Sequence, residues 1–409
     1  MSAPRGGAAR WWGGALAVAI TAMTACQEKL TSPADCPELC PGGTSQVYDT
    51  IIPVTPGLDS SFTGYVDRGG GVAVLVSNGL PASEDRAIYR FAARGDSISV
   101  RDTLRAYTVD SVAFTLTIVA RDTMVKGLNV ELYRLPPTVD STATFAAIDP
   151  LLAGTNLITT IGVPDSARTG SIKGVLRGAE ADVVALPPGG DSVLAIGVRI
   201  AAAAPTGVRL GALASSSAAT FTSYVTVDVP DTGSIRHQTL NRATAFNTFV
   251  TQTPLQPVDT LLAVGGEPSS RALLRFALSG PFLDSVTIVR ASLELFPAAP
   301  MLGLPGDSAI LEARAVVGDL GAKSPLTNDT RFIVDDTLPT VVNDTVRLEV
   351  TPTVQVWQSA RERPQAIFLL LRPEAATFTR AIFGSSRSPS VPAPRLRITY
   401  QRPFRFENP

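Results

Sequence analysis

Apolar and polar residues alternate with a period of two along most of this chain, and the clearest alternation is a phrase used twice. Arg86–Phe91 reads RAIYRF and Arg271–Phe276 reads RALLRF. With Ala272, Leu274 and Phe276 on one side, Arg271 and Arg275 fall on the other, the pattern of a strand half-buried on one sheet face. A second echo follows each copy: Asn129–Tyr133 (NVELY) matches Ser292–Phe296 (SLELF). A third closes each unit, where Leu210–Val229 and Arg380–Tyr400 both run from a serine cluster into a final strand. Three echoes in one order predict two tandem copies of an all-β domain.

The first copy is expected over residues 44–230. Val47–Val54, Phe62–Val66 and Val72–Val76 precede RAIYRF, and Val112–Val119, Val193–Ile200 and Thr220–Val229 follow it. Asp231–Ser234 reads as a linker, and residues 235–409 as the second copy. There, Phe246–Val250 and Thr260–Gly265 precede RALLRF, and Asp284–Phe296, Ala309–Val317, Thr345–Val350, Ala366–Arg372 and Arg395–Tyr400 follow. One short helix interrupts the strands. Thr351 can cap it, Pro352 sits where a first-turn proline is tolerated, and Val354 and Trp357 share a face at i, i+3. Each copy has a length that can bury its own core, so the halves are expected to fold independently.

The chain opens differently. Arg5 and Arg10 precede a largely apolar stretch, Trp11–Thr24, which ends in Met23-Thr-Ala-Cys26. This resembles a bacterial lipoprotein signal, with residues 1–25 removed and Cys26 left as the lipidated first residue; an ordinary secretory signal or an uncleaved anchor is the alternative. Gln27 after the cysteine is compatible with the outer membrane. Residues 26–43 read as a tether. Within it Cys36 and Cys40 leave an even pair of thiols in an oxidising compartment, which favours a local disulfide, since no further Cys or His lies near to complete a metal site.

Composition narrows the functional classes. The chain has 35 basic and 36 acidic residues, so it lacks the basic excess of a nucleic-acid binder. Aromatic residues make up 6 %, too few for an obvious sugar-stacking surface. There is one histidine, His237, in a polar stretch, so Ser-His-Asp chemistry would have to use it. No HExxH, P-loop or strand-borne GxGxxG occurs. A carboxylate pair for glycoside hydrolysis is present in principle among so many acids, yet nothing singles out two of them. The repeated arginines Arg86, Arg90, Arg271 and Arg275 have two readings. They cover apolar surface and protect sheet edges, or they line a ligand face and fork hydrogen bonds to uronate carboxylates.

The second copy is similar to the DNRLRE (disaggregatase-related) jelly-roll domains of secreted and cell-surface proteins. The similarity rests on Arg271–Phe276, Val286–Phe296, Leu348–Trp357, Ser385-Ser386 and Pro394–Tyr400. The first copy keeps the RxxxRF phrase and the closing strand but lacks the tryptophan segment. The resemblance implies two tandem antiparallel β-sandwiches, jelly-roll-like, without universal catalytic residues. It also implies that a structural calcium ion could be held, with Asp59, Asp67, Asp85, Asp335 and Asp336 as candidate ligands; no other cofactor is expected. The resulting expectation is a lipid-anchored envelope protein whose sandwiches bind or display, on polysaccharide or another envelope protein, and are not enzymes. A secreted carbohydrate-active enzyme or a purely structural envelope component are the alternatives.

Overall fold

The computed structural model describes residues 47–65, 68–80, 83–184, 193–229, 234–252, 260–304, 308–339 and 344–402. The leader, Cys26, Cys36, Cys40 and Asp67 lie outside these residues. Asp49–Pro409 forms one compact unit. Its strands are antiparallel and enclose two large apolar cores, so the chain is an all-β sandwich protein.

The first core lies between the two arms of a ten-stranded sheet. One strand, Ser234–Thr251, joins the arms. Its first half pairs with Thr220–Val229, its register shifts between Thr244 and Phe246, and its second half pairs with Asp85–Phe91. The shift is a bulge, which bends a strand and lets it serve both layers. On one arm Val112, Phe114, Leu116 and Ile118 alternate inward; on the other Ala87, Tyr89 and Phe91 do. Phe91, Phe114 and Phe221 meet across the gap with ring centroids 4.9–6.2 Å apart. The buried Tyr89 hydroxyl donates to the Gly211 carbonyl at 2.8 Å, which satisfies the polar end of that ring.

The second core lies between a seven-stranded and a four-stranded sheet. Ala272, Leu274 and Phe276 point into it from the RALLRF strand, opposite Ala291, Leu293 and Leu295. The helix Thr351–Ser359 plugs one end, with Val354 and Trp357 fully buried and Trp357 6.3 Å from Phe276. The cap differs from expectation. Val350 is the cap residue and Thr351 the first helical one; its hydroxyl accepts from Ala291 N–H at 2.7 Å and so ties the helix to the sheet.

The strand partners also differ from the tandem layout read in the sequence. Ser60–Thr63, expected in the first domain, pairs with Ser270–Arg275. Val47–Pro53 lies at the edge of the four-stranded sheet beside Arg395–Gln401. Conversely, Phe246–Val250, expected in the second domain, is the end of the joining strand in the first sandwich. Val229 faces Ser234, so the place read as a linker connects paired strands of one sheet. Alternation says that a segment is a strand, but any edge with a matching face can accept it. The two sandwiches therefore exchange strands, and the boundary at 231–234 does not separate them. They also touch: Phe378 and Leu304 of the second pack into the first core at Gly207, where a Cβ would come within 2.8 Å of the Phe378 ring.

Candidate anion-binding face

The arginines of the repeated phrase lie on the outer sides of their strands, where each is engaged by its own chain. Arg86 is 7 % exposed and donates to Asp149 at 2.7 Å, Glu84 at 2.8 Å and the Ser77 carbonyl at 3.0 Å. Arg90 donates to the Val139 carbonyl at 3.0 Å and stacks on Phe246. Arg271 forks onto Glu374 at 2.7 and 2.8 Å and lies 4.3 Å from the centre of the Tyr65 ring. Burial pushes the Tyr65 hydroxyl above its ordinary pKa, with the Arg271 charge opposing. Arg275 forks onto Asp319 at 2.6 and 2.8 Å and donates to the Leu58 carbonyl. These four side chains fasten loops over the sheets. Arg271 also borders a cavity of about 250 Å³ together with Arg314, Arg372 and Glu374. Arg314 and Arg372 there flank Glu312, which is fully buried; Arg372 Nε lies 2.8 Å from its Oε2 without hydrogen-bond geometry.

A more open arginine cluster occupies the outer face of the four-stranded sheet. Glu294 sits on the central strand Thr287–Leu295 with Arg347 directly across on one side and Arg395 directly across on the other. Arg397 is two residues further along and on the same face, because strand side chains alternate. Arg395 Nε donates to Glu294 at 2.7 Å, Arg397 Nε at 3.0 Å and Arg347 Nε at 3.4 Å. The carboxylate is 1 % exposed, whereas the Arg347 side chain is 66 % exposed. Burial acts to raise the Glu294 pKa, but hydrogen bonds from Arg395 and Arg397 outweigh it and hold the carboxyl below its ordinary value. Three guanidiniums thus meet one ionised carboxylate.

The chemistry of this face follows from donor geometry. Each guanidinium presents five N–H donors, and each of these three gives its Nε–H to Glu294, so its terminal nitrogens are not used in that bond. Arg395 is further steadied by Phe296, whose ring centre is 5.0 Å from the guanidinium carbon. A fourth arginine, Arg290, pairs with Glu349 at 2.6 Å, and Asp49 accepts from Thr399 at the far edge. The face therefore carries four positive and three negative side chains, with the positive charge gathered around Glu294. Arg395 and Arg397 lie in the Pro394–Tyr400 segment already conspicuous in the sequence. Their i, i+2 spacing on a strand was the available sign that they share a face; Glu294 as the common partner comes from a distant segment and had no local sign.

Other expected chemistry falls elsewhere. His237 is exposed on the joining strand, with Nδ1 3.1 Å from the Thr226 hydroxyl and 3.8 Å from Asp110. Thr226 donates to Asp110 at 2.6 Å, so the hydroxyl is turned to the acid and not aligned for removal of its proton by the imidazole. Asp59 is fully buried and accepts from the Ser386 N–H at 2.7 Å, which fastens the 385–388 turn. Asp335 lies 3.4 Å from Arg372. Among the described residues no three His, Cys, Asp or Glu side chains gather as a metal site.

No protein-family model matches the chain, and no curated protein matches it. Among solved structures, a chain of the 3.5 Å cryo-EM structure of the Sputnik virophage is similar at 11 % identity, covering 87 % of this chain and 85 % of that one. Its TM-score is 0.09, and it carries no argument here.

Proposed function

We propose that this protein is a lipid-anchored component of the bacterial envelope, held at Cys26, whose sandwiches bind an acidic polysaccharide without catalysing its cleavage. The observation that supports the binding reading is the convergence of Arg347, Arg395 and Arg397 on the buried Glu294. The glutamate fixes the guanidiniums, so little side-chain entropy remains to be lost when their remaining donors take a carboxylate. An open sheet face suits an extended polymer, and a ligand recognised by charge needs few aromatic platforms. The DNRLRE-like phrases in the second half fit the same reading, as does the lipoprotein-like leader with its expected place in the outer membrane.

Isothermal titration with oligogalacturonate tests the binding. The account expects saturable binding that falls about tenfold in Arg397→Ala, one lost charge-assisted contact being worth roughly 1.5 kcal/mol. Arg331→Ala, which removes an exposed arginine paired with Asp329 elsewhere, should bind as the parent does. Equal binding of a neutral glucan, or no change in Arg397→Ala, would contradict it. Anchoring is tested separately: Cys26→Ser should move the chain from the detergent phase to the aqueous phase, because stable attachment depends on the acyl chains.

A further inference from the structure

The cavity of about 250 Å³ bordered by Arg271 lies on the outer face of the seven-stranded sheet. Three neighbouring strands meet there: Ser270–Arg275, Ala366–Arg372 and Ser308–Ala315. Leu274, Leu369, Leu371, Leu311 and Ala313 point into the second core. Period-two alternation therefore sets Arg271, Leu370, Arg372, Glu312 and Arg314 together on the other side. Leu370, 3 % exposed and directly across from Glu312, gives the cavity an apolar base. Gly71 belongs to the segment that borders it. A Cβ there would lie 2.8 Å from the Ala375 carbonyl oxygen, so glycine is what lets this segment approach the turn after Arg372.

Among the described residues, the charged side chains that line the cavity are Arg271, Arg314, Arg372 and Glu374. Both Glu374 oxygens accept from Arg271. Glu312, fully buried, is shared: Arg314 Nε donates to its Oε1, and Arg372 Nε lies 2.8 Å from its Oε2. Three guanidiniums thus meet two carboxylates, which leaves one positive charge over. Asp335 offsets little of it, being 57 % exposed and 3.4 Å from Arg372. The Arg271 and Arg314 side chains are only 19 % and 22 % exposed, so water screens them weakly. The terminal nitrogens of Arg314 bond to no described residue. Like charges held this close and this dry are costly unless an anion completes the group.

The geometry points to a second binding site here, for one small organic acid whose single carboxylate is taken by Arg314 and Arg372. One surplus positive charge matches a carboxylate and not a phosphate dianion. Arginine is suited to the task, because its planar fork matches the two carboxylate oxygens. Glu312 acts as Glu294 does on the other sheet: it holds two guanidiniums in place before the ligand arrives, so less order has to be imposed on binding. The volume is below the roughly 300–1,000 Å³ of a drug-sized site, so the cavity takes a molecule of about monosaccharide size and not a run of polymer. Leu370 offers that molecule an apolar contact. The site is on a different sheet from the open arginine face and does not depend on the polysaccharide reading.

The test titrates the full chain with D-galacturonate, with D-galactose as the same ring without the acid and with inorganic phosphate as the dianion. Galacturonate should bind with a dissociation constant of about 10⁻³ M, ordinary for a dozen non-hydrogen atoms. Galactose should not bind, and phosphate should bind more weakly. Arg372→Gln leaves Arg314 on Glu312, so it should melt cooperatively and bind about tenfold more weakly. Asp335→Asn, at an exposed carboxylate beside Arg372, carries no risk to the core and should tighten binding about twofold. Arg397→Ala, on the open face, should leave the affinity for the monomer unchanged. Loss of binding in Arg397→Ala but not in Arg372→Gln would put the acid on the open face and overturn the proposal. So would equal binding of galactose, tighter binding of phosphate, weaker binding in Asp335→Asn, or no saturable binding of galacturonate in the millimolar range.

Discussion

Separating the two halves at residues 230–233 should leave neither able to fold. The strand Ser234–Thr251 would leave the first sandwich, taking the covering of the Asp85–Phe91 edge with it. It carries Phe249 and Val250, each 1 % exposed, and an Arg242 guanidinium that donates to the Ala92 carbonyl at 2.7 Å. At about 1.5–3 kcal/mol for each fully buried side chain, the two apolar residues alone account for about 3–6 kcal/mol. That is a large share of the roughly 5–15 kcal/mol that holds a domain folded. The second sandwich would lose Ser60–Thr63 from its large sheet, together with the bonds Val54 N–H to Pro394 at 2.9 Å and Thr55 N–H to Arg275 at 2.7 Å. Residues 44–230 and 231–409, expressed separately, should be insoluble or lack a cooperative melt. Expressed together, they should recover a complex with one. Either half melting cooperatively by itself near the temperature of the intact chain would refute the strand exchange.

Other perturbations follow from single contacts. Phe276→Ala should cost about 3–5 kcal/mol in urea unfolding, since it opens a cavity against Trp357. Gly207→Val should lower the melting temperature, because a side chain there collides with Phe378 at the seam; a parent-like melt would mean that the sandwiches separate easily. Asp319 is held below its ordinary pKa first by its hydrogen bond from Arg275, with burial opposing. A depressed carboxylate adds stability that is present above its unfolded pKa of about 3.9 and lost as pH falls through the folded value. Asp319→Asn should therefore cost about 1 kcal/mol at pH 7, discounted because the pair is partly solvated, and the difference from the parent should vanish in strong acid.

Period-two alternation made most strands legible, and Ala366–Arg372 was read with its observed bounds. The RALLRF strand was read as half-buried, and its inward set was right. Yet Leu273 on its other side is also fully buried, against Phe368 beneath Phe62 and Tyr65. That cover comes from a segment some two hundred residues away, and nothing within the phrase announces it. The same physics hid the strand exchange, because alternation at Val47–Pro53 suits any sheet with an open edge. Trp357 was legible as a core plug since proline and i, i+3 spacing act locally.

The most direct test of the functional account is a glycan array probed with the soluble Cys26→Ser chain, paired with a reducing-end assay on every glycan that binds. The account predicts binding confined to uronate-bearing polymers and weakened by salt, as expected for exposed ion pairs, with no reducing ends released above a heat-inactivated control. Release of reducing ends, or binding indifferent to the carboxylates, would contradict it.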